Sequence, residues 1–152
     1  ITSNKQFTFT FREITNLLES ALVVYASTED ASAAATVQEG LLNVANVVNI
    51  KYRPDLSDIY SNNVPKYDAL VIVGGEFAWQ YTNPYDSARD MWALFFPGIS
   101  AVENCVQYSE RPDGLIVYGV AGNTGNDTLS LAIMLKQRLV QGDLPSSKFC
   151  PL

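Results

Sequence analysis

Three glycines mark the first stretch that could do chemistry. Gly119, Gly122 and Gly125 lie in GLIVYGVAGNTGNDT, where an apolar run gives way to glycines and then to a helical pattern. Strands that end in this way often hold a phosphate on backbone N–H groups. Known phosphate loops need either the lysine of G-x-x-x-x-G-K-S/T or the spacing G-x-G-x-x-G after a first strand. This stretch has neither, so we expect a tight strand-to-helix turn, with anion binding as the alternative.

The residues after this turn predict a helix start. We expect Asn126, Asp127 or Thr128 to cap the helix, because short polar side chains accept hydrogen bonds from its first N–H groups. Asn126 also opens the only N-x-S/T sequence of the chain. It is therefore the candidate glycosylation site if the protein is exported.

A second glycine pair, Gly74-Gly75, ends the apolar run of VIVGGEFAWQY. In amidotransferase-like folds a strand of this type leads towards an active site that also needs a cysteine nucleophile at a strand-to-helix elbow. Neither Cys105 nor Cys150 lies in such a setting. Glu76 could act as a ligand or a base, but nothing in the sequence pairs with it. A solvated loop acid is the preferred interpretation.

Paired carboxylates could serve the acid–base chemistry that cleaves glycosidic bonds. The available pairs are Glu29-Asp30, Asp55/Asp58 and Asp86/Asp90. Each is explained more simply as a helix cap or as a charge on a helix face. We therefore predict no catalytic residue and do not expect an enzyme.

Composition excludes several classes of site and partner. The chain has no histidine, which removes Ser-His-Asp sites, Cys-His sites and histidine-based zinc centres. Its 16 acidic and 10 basic residues give a net charge of -6, which argues against nucleic-acid partners and anionic membranes. The sequence contains no run of about 18 apolar residues, which is the length that a bilayer-spanning helix needs. We predict neither a metal nor a cofactor.

The two cysteines predict a disulfide, with two buried thiols as the alternative. A bond between Cys105 and Cys150 would fasten the C-terminal tail, residues 143–152, and stabilise the fold by roughly 4 kcal/mol in the chain-entropy model. Such a bond indicates an oxidising compartment. The chain begins at Ile1 without an initiator methionine, so we expect a processed or excised chain.

Hydrophobic patterns predict the strands. Residues 6–13 alternate, with Phe7, Phe9 and Phe11 on one face, which indicates an amphipathic strand at an edge or paired elsewhere. Continuous apolar runs, typical of strands buried on both faces, occur at 21–26, 69–75 and 114–122. Weaker signals predict a short helix or turn at 14–20, a strand at 49–54 and a strand or mixed segment at 100–108.

Three- and four-residue spacing predicts helices at 27–48, from Asn83-Pro84 to Pro97-Gly98, and at 126–140. Apolar strands that alternate with helices favour a single three-layer α/β domain over 1–152. We expect a largely parallel sheet in Rossmann-like or flavodoxin-like order, with an additional N-terminal amphipathic strand within 1–20.

Aromatic residues are dense between positions 77 and 96. Trp79, Tyr81 and Tyr85 could form a surface for a sugar or a protein partner, although such residues are more often part of a core. Together with the three phenylalanines of the N-terminal strand, they are our candidate interface residues.

Three blocks of the sequence resemble the C-terminal α/β domain of archaeal S-layer-like proteins. They are ALVVYASTEDASAAATVQEG (21–40), YDALVIVGGEFAWQY (67–81) and GISAVENCVQYSERPDGLIVYGVAGNTGNDTLSLAIML (98–135). The match departs at EFAW (76–79), where that family has Pro-x-Ala-Asn. The resemblance implies an extracellular structural domain that assembles with copies of itself.

The sequence therefore predicts an extracellular structural subunit or module at the cell surface, which acts by self-association in a lattice or filament. The alternative is a ligand-binding or enzymatic Rossmann-like or flavodoxin-like domain. It would use the loops after Gly75 and Gly122, since open α/β sheets bind ligands beyond the carboxyl ends of their strands.

Overall fold

The fold is a five-stranded sheet covered by helices. A computed structural model of the protein describes residues 17–80 and 91–152. Its strands are β1 (Leu18–Tyr25), β2 (Ala45–Tyr52), β3 (Tyr60–Ser61), β4 (Val64–Pro65), β5 (Ala69–Val73), β6 (Cys105–Glu110) and β7 (Ile116–Ala121). Its helices are α1 (Ala31–Leu41), α2 (Leu56–Ile59), α3 (Glu76–Gln80), α4 (Met91–Phe95) and α5 (Gly125–Val140).

The main sheet has the order β2-β1-β5-β7-β6, and β3 pairs with β4 in a separate two-stranded hairpin. β2, β1, β5 and β7 run parallel, whereas β6 is antiparallel to β7. Val23 at the centre of β1 pairs with Ile50 on one side and Val71 on the other. The prediction of a largely parallel three-layer α/β sheet is confirmed.

The strands are buried on both faces because helices cover both. On one face, Val23 and Val71 pack with α1 and α5. On the opposite face, Leu22 and Leu70 pack with residues of α2, α3 and α4. The apolar runs read from the sequence thus form the central layer, since a strand covered on both sides has no polar face.

The predicted helix at 27–48 is wrong in its second half. α1 ends at Leu41, and β2 begins four residues later at Ala45. The amide of Asn43 donates to the carbonyl oxygens of Glu39 and Gly40 at 3.3 and 3.0 Å, which satisfies the end of the helix. The spacing of apolar residues was ambiguous here, because Val44 and Val48 fit a helix face as well as a half-buried strand.

One other prediction needs correction, because residues 18–20 belong to β1 and not to a short helix or turn. Gly40 brings α1 close to α5: a Cβ added there would lie 3.0 Å from the Cα of Lys136. Absence of a side chain at Gly40 lets the two helices approach.

The Cys105–Cys150 disulfide is present as predicted. It fastens the tail to β6, where Val106 and Phe149 exchange two backbone hydrogen bonds of 2.8 and 3.1 Å. The tail therefore covers part of the outer edge of β6. Within residues 17–80 and 91–152, no helix is long and apolar enough to cross a membrane.

Several predictions fall on residues outside the described ranges. These are the amphipathic strand at 6–13 with Phe7, Phe9 and Phe11, the helix start at Asn83-Pro84, and the interface candidates Tyr81 and Tyr85. The helical segment that is described, α4, ends before Pro97-Gly98 as expected.

Candidate functional site

An open crevice of about 620 Å³ lies at the carboxyl ends of the parallel strands. It is lined by the loops that follow β1, β2, β5 and β7, together with Ala101 and the start of α5. The lining residues are Ala26, Ser27, Thr28, Glu29, Asp30, Tyr52, Arg53, Gly74, Gly75, Phe77, Ala78, Ala101, Gly122, Asn123, Thr124, Gly125 and Thr128.

The topology of the sheet explains the position of the crevice. The chain moves outward in one direction from β1 to β2 and then returns past β1 to β5. The connections after β1 and β5 therefore leave the sheet towards opposite faces, and a gap opens between them. The loops after Gly75 and Gly122, which the sequence singled out separately, both line this gap.

Asp30 is the most unusual side chain in the crevice. It ends a short 3-10 turn, Thr28–Asp30, and only 6% of its surface is exposed. The turn is capped by Ser27, whose Oγ accepts from the Glu29 N–H at 3.3 Å, while the Asp30 side chain caps nothing. No group in the described part of the chain donates a hydrogen bond to the Asp30 carboxylate or pairs with it.

Burial raises the pKa of Asp30 from 3.8 to about 6, and the negative charge of Glu29 adds to the effect. Both causes act against the ionised form, because the carboxylate loses water and gains a like charge nearby. At neutral pH this side chain is still mostly ionised. It is therefore a buried negative charge that the described residues do not neutralise.

Gly74 makes room for this carboxylate. Its φ is +96°, and a Cβ added there would lie 2.5 Å from Oδ2 of Asp30. The backbone of Gly74 is held on both sides: its N–H donates to the Val120 carbonyl at 2.9 Å, and its carbonyl accepts from Trp79 Nε1 at 3.0 Å. The glycine is required both by its conformation and by its neighbour.

Trp79 is accordingly a core residue in this structure. It is fully buried on the sheet face that carries Leu22 and Leu70, and its indole N–H donates to the Gly74 carbonyl. The surface role considered for Trp79 does not fit this position, because none of its surface is exposed in the described structure.

Arg53 places a positive charge in the lining of the same crevice. Its backbone has φ of +50°, and its Nε donates to the Ala26 carbonyl at 3.3 Å. The guanidinium carbon lies 5.0 Å from the centroid of the Tyr52 ring. The side chain is exposed, and no carboxylate of the described residues forms a salt bridge with it.

The start of α5 forms the third polar part of the crevice. The cap is Thr124, whose Oγ1 accepts from the Asp127 N–H at 3.1 Å, so the predicted cap at 126–128 is wrong. Thr128 instead faces back to the strand end, where its Oγ1 accepts from the Gly122 N–H at 2.9 Å. Asn126, the predicted glycosylation site, is exposed in the first turn.

Glu76 lies next to the crevice but is not a solvated loop acid. Its Oε1 accepts from the Ser100 hydroxyl at 3.1 Å, and its Oε2 accepts from the Ala101 N–H at 3.2 Å. It thereby holds residues 100–101 against α3. Gly75 permits this approach, since a Cβ added there would lie 2.5 Å from that of Ala101.

The charges of the lining limit what can bind. Two carboxylates, Glu29 and Asp30, stand against one guanidinium, Arg53. This balance opposes a di- or triphosphate, which needs several positive groups. Within the described ranges, no cluster of three or more histidine, cysteine, aspartate or glutamate side chains could hold a metal ion.

Asp30 and Arg53 were not recognised from the sequence. Its sequence context predicts a helix cap for Asp30, although the residue lies shortly after a buried strand, where parallel sheets place ligands. That position was the available signal. Comparison of the chain with protein-family models, with curated proteins and with solved structures finds no match to any of them.

Proposed function

We propose that this domain binds a small molecule in the crevice at the carboxyl ends of its parallel strands. The observation that carries the proposal is Asp30, a carboxylate that is 6% exposed and has no partner among the described residues. An uncompensated buried charge costs free energy. Strongly perturbed titratable groups in a cleft cluster at functional sites, and a bound ligand would supply the partner that Asp30 lacks among the described residues.

We propose binding rather than catalysis. A nucleophile or a general base normally has a second titratable group within hydrogen-bond reach. In the described structure, neither Asp30 nor Arg53 has such a neighbour, and Glu76 is engaged with the backbone of Ala101.

The experiment is a thermal-shift screen of the folded protein against amino acids, amines, sugars, nucleotides and small carboxylates. A ligand that binds the native state alone raises Tm with increasing concentration. Asp30→Asn should abolish the shift. Glu19→Gln should preserve it, because Glu19 is an exposed acid at the opposite end of β1. The proposal fails if no compound shifts Tm, or if both variants respond like the parent.

The location we propose is outside the cell, at its surface. The disulfide supports this, since such bonds persist in oxidising compartments. The exposed position of Asn126 leaves it accessible to a glycan. Intact mass of protein from its native source tests both features, because a glycan adds mass and a disulfide blocks alkylation.

Self-association in a lattice or filament is the second candidate function, and the outer edge of β2 supports it. β2 has eight residues and is at the end of the main sheet, and no described strand pairs with its outer side. Val47 and Ile50 on this strand are 51% and 38% exposed. Long, apolar, unpaired edges are templates for added strands.

The partner we propose for this edge is the alternating segment with Phe7, Phe9 and Phe11 from a second copy, joined by contacts of Tyr81 and Tyr85. Light scattering and negative-stain microscopy test the assembly. Val47→Lys should reduce it, whereas Val140→Lys should not, because Val140 is equally exposed, at 54%, but lies at the end of α5. A monodisperse monomer at every concentration would contradict this candidate.

A further inference from the structure

We propose that the crevice ligand is an amino acid or a close analogue, with its ammonium group on Asp30 and its carboxylate on Arg53. This inference rests on the proposed binding function of the same crevice. Three observations carry it: a buried anion without a partner, a guanidinium without a carboxylate, and a helix start beside them.

The Asp30 site favours a cation. Asp30 is buried, no described group donates to it, and the exposed carboxylate of Glu29 adjoins it in the same turn. A neutral hydroxyl would satisfy one oxygen but would leave the charge in place. An ammonium group donates hydrogen bonds and offsets the charge at once.

Arg53, in contrast, favours an anionic group. Its Nε is held by the Ala26 carbonyl and its planar group rests near Tyr52, so the guanidinium is oriented while no described carboxylate occupies it. α5 begins at Gly125 in the same crevice. The Asp127 N–H is capped by Thr124, whereas the N–H groups of Gly125 and Asn126 have no acceptor within the helix. A carboxylate fits both features, since helix starts and arginine both favour anions.

Other ligand classes fit less well. A polyphosphate would bring several negative charges towards Glu29, Asp30 and Asp127, the last in the first turn of α5. A neutral sugar would leave both Asp30 and Arg53 without counter-charges. A small zwitterion supplies one charge of each sign and is far smaller than the crevice, which leaves room for a side chain beside Phe77.

The experiment begins with the twenty common L-amino acids in a thermal-shift screen, with glucose and ATP as contrasting probes. The best binder is then compared by calorimetry with its decarboxylated amine and its deaminated acid. We expect removal of either group to weaken binding at least tenfold, about 1.4 kcal/mol. Asp30→Asn should remove the advantage of the ammonium group, and Arg53→Gln that of the carboxylate.

A pH series separates charge pairing from neutral hydrogen bonding. With Asp30 protonated below its pKa of about 6, binding of an ammonium group should fall about tenfold from pH 6.5 to pH 5. Glu29 is the charged group that acts on Asp30. Arg53 lines the same crevice, and Asp127 lies in the first turn of α5. Glu29→Gln and Asp127→Asn should retain the pH dependence, and Asp30→Asn should lose it.

The outcomes are distinguishable. Stabilisation by an amino acid that needs both of its charged groups supports the inference. Stabilisation by glucose or ATP alone overturns it but leaves the binding function in place. No stabilisation by any probe overturns both.

Discussion

The carboxylate of Asp30 lies directly against the α-carbon of Gly74, so that a Cβ on Gly74 would come within 2.5 Å of Oδ2. One residue follows β1 and the other follows β5, which are neighbours in the sheet. The contact therefore joins the two loops on either side of the topological switch point. A single methyl group added at Gly74 would therefore displace the Asp30 carboxylate.

Gly74→Ala should destabilise the protein more than Gly114→Ala. The two glycines have almost the same backbone, with φ of +96° and +93°, but nothing lies within 4 Å of a Cβ added at Gly114. The control therefore reports the conformational cost alone, about 1 to 2 kcal/mol. The excess at Gly74 measures the crowding of Asp30 and, to a smaller extent, of Ala78, whose Cβ would lie 3.1 Å from the added methyl group.

Urea unfolding of both variants gives the comparison, through the midpoint at an unchanged m value. Gly74→Ala should also weaken any ligand that needs Asp30, whereas Gly114→Ala should not. Equal free energies of unfolding for the two variants would show that the Asp30 contact does not constrain the fold.

Asp30→Asn should stabilise the free protein at pH 7.5. The pKa of Asp30 is about 6 when folded, against 3.8 for an ordinary aspartate. The folded state therefore binds the proton more tightly, and stability is full below pH 3.8 and is lost as the pH rises through 6. Replacing the charge by a neutral amide should recover at most ~3 kcal/mol at high pH.

Thermal or urea unfolding between pH 4 and pH 8 tests whether Asp30→Asn is more stable than the parent at high pH. The difference between Asp30→Asn and the parent should shrink towards zero near pH 4. Glu29→Gln should act in the same direction with a smaller size, since the Glu29 charge is the second cause of the raised pKa. A variant that is less stable than the parent at pH 7.5 would mean that a partner holds the ionised Asp30.

Reduction of the Cys105–Cys150 bond should destabilise the protein by up to about 4 kcal/mol, because the bond closes a loop with a sequence separation of 45. Urea unfolding with and without a reductant measures the loss. The double variant Cys105→Ser and Cys150→Ser should unfold like the reduced parent and should not respond to the reductant. A reduced parent as stable as the oxidised one would show that the Val106–Phe149 pairing holds the tail without the bond.

Thr124→Ala should cost about 1 kcal/mol in the free energy of unfolding, because it removes the hydroxyl that accepts from the Asp127 N–H at the start of α5. Thr124→Ser keeps the hydroxyl and should restore most of the stability. Thr36→Ala is the control, since this exposed hydroxyl lies within α1 and bonds only the Ser32 carbonyl. Equal losses at Thr124 and Thr36 would argue against a capping role.

The confirmed predictions rest on local sequence patterns that favour one type of secondary structure. The apolar runs around Val23, Val71 and Val120 became strands buried on both faces, because runs this short and rich in β-branched residues favour strands over buried helices. The boundary between α1 and β2 was missed because Val44 and Val48 satisfy two periods at once. The cap of α5 was missed by two residues, since several small polar residues follow one another there.

The sequence by itself determined the α/β class and the strands of the central layer, and its single pair of cysteines favoured the disulfide that the structure contains. These follow from periodicity and residue type along a short stretch of chain. Only the tertiary structure decided the role of Asp30. Its burial, its raised pKa and its contact with Gly74 arise where β1 and β5, separated by more than forty residues of chain, become neighbours. Solvation and charge depend on such neighbours in space, and a linear pattern does not contain them.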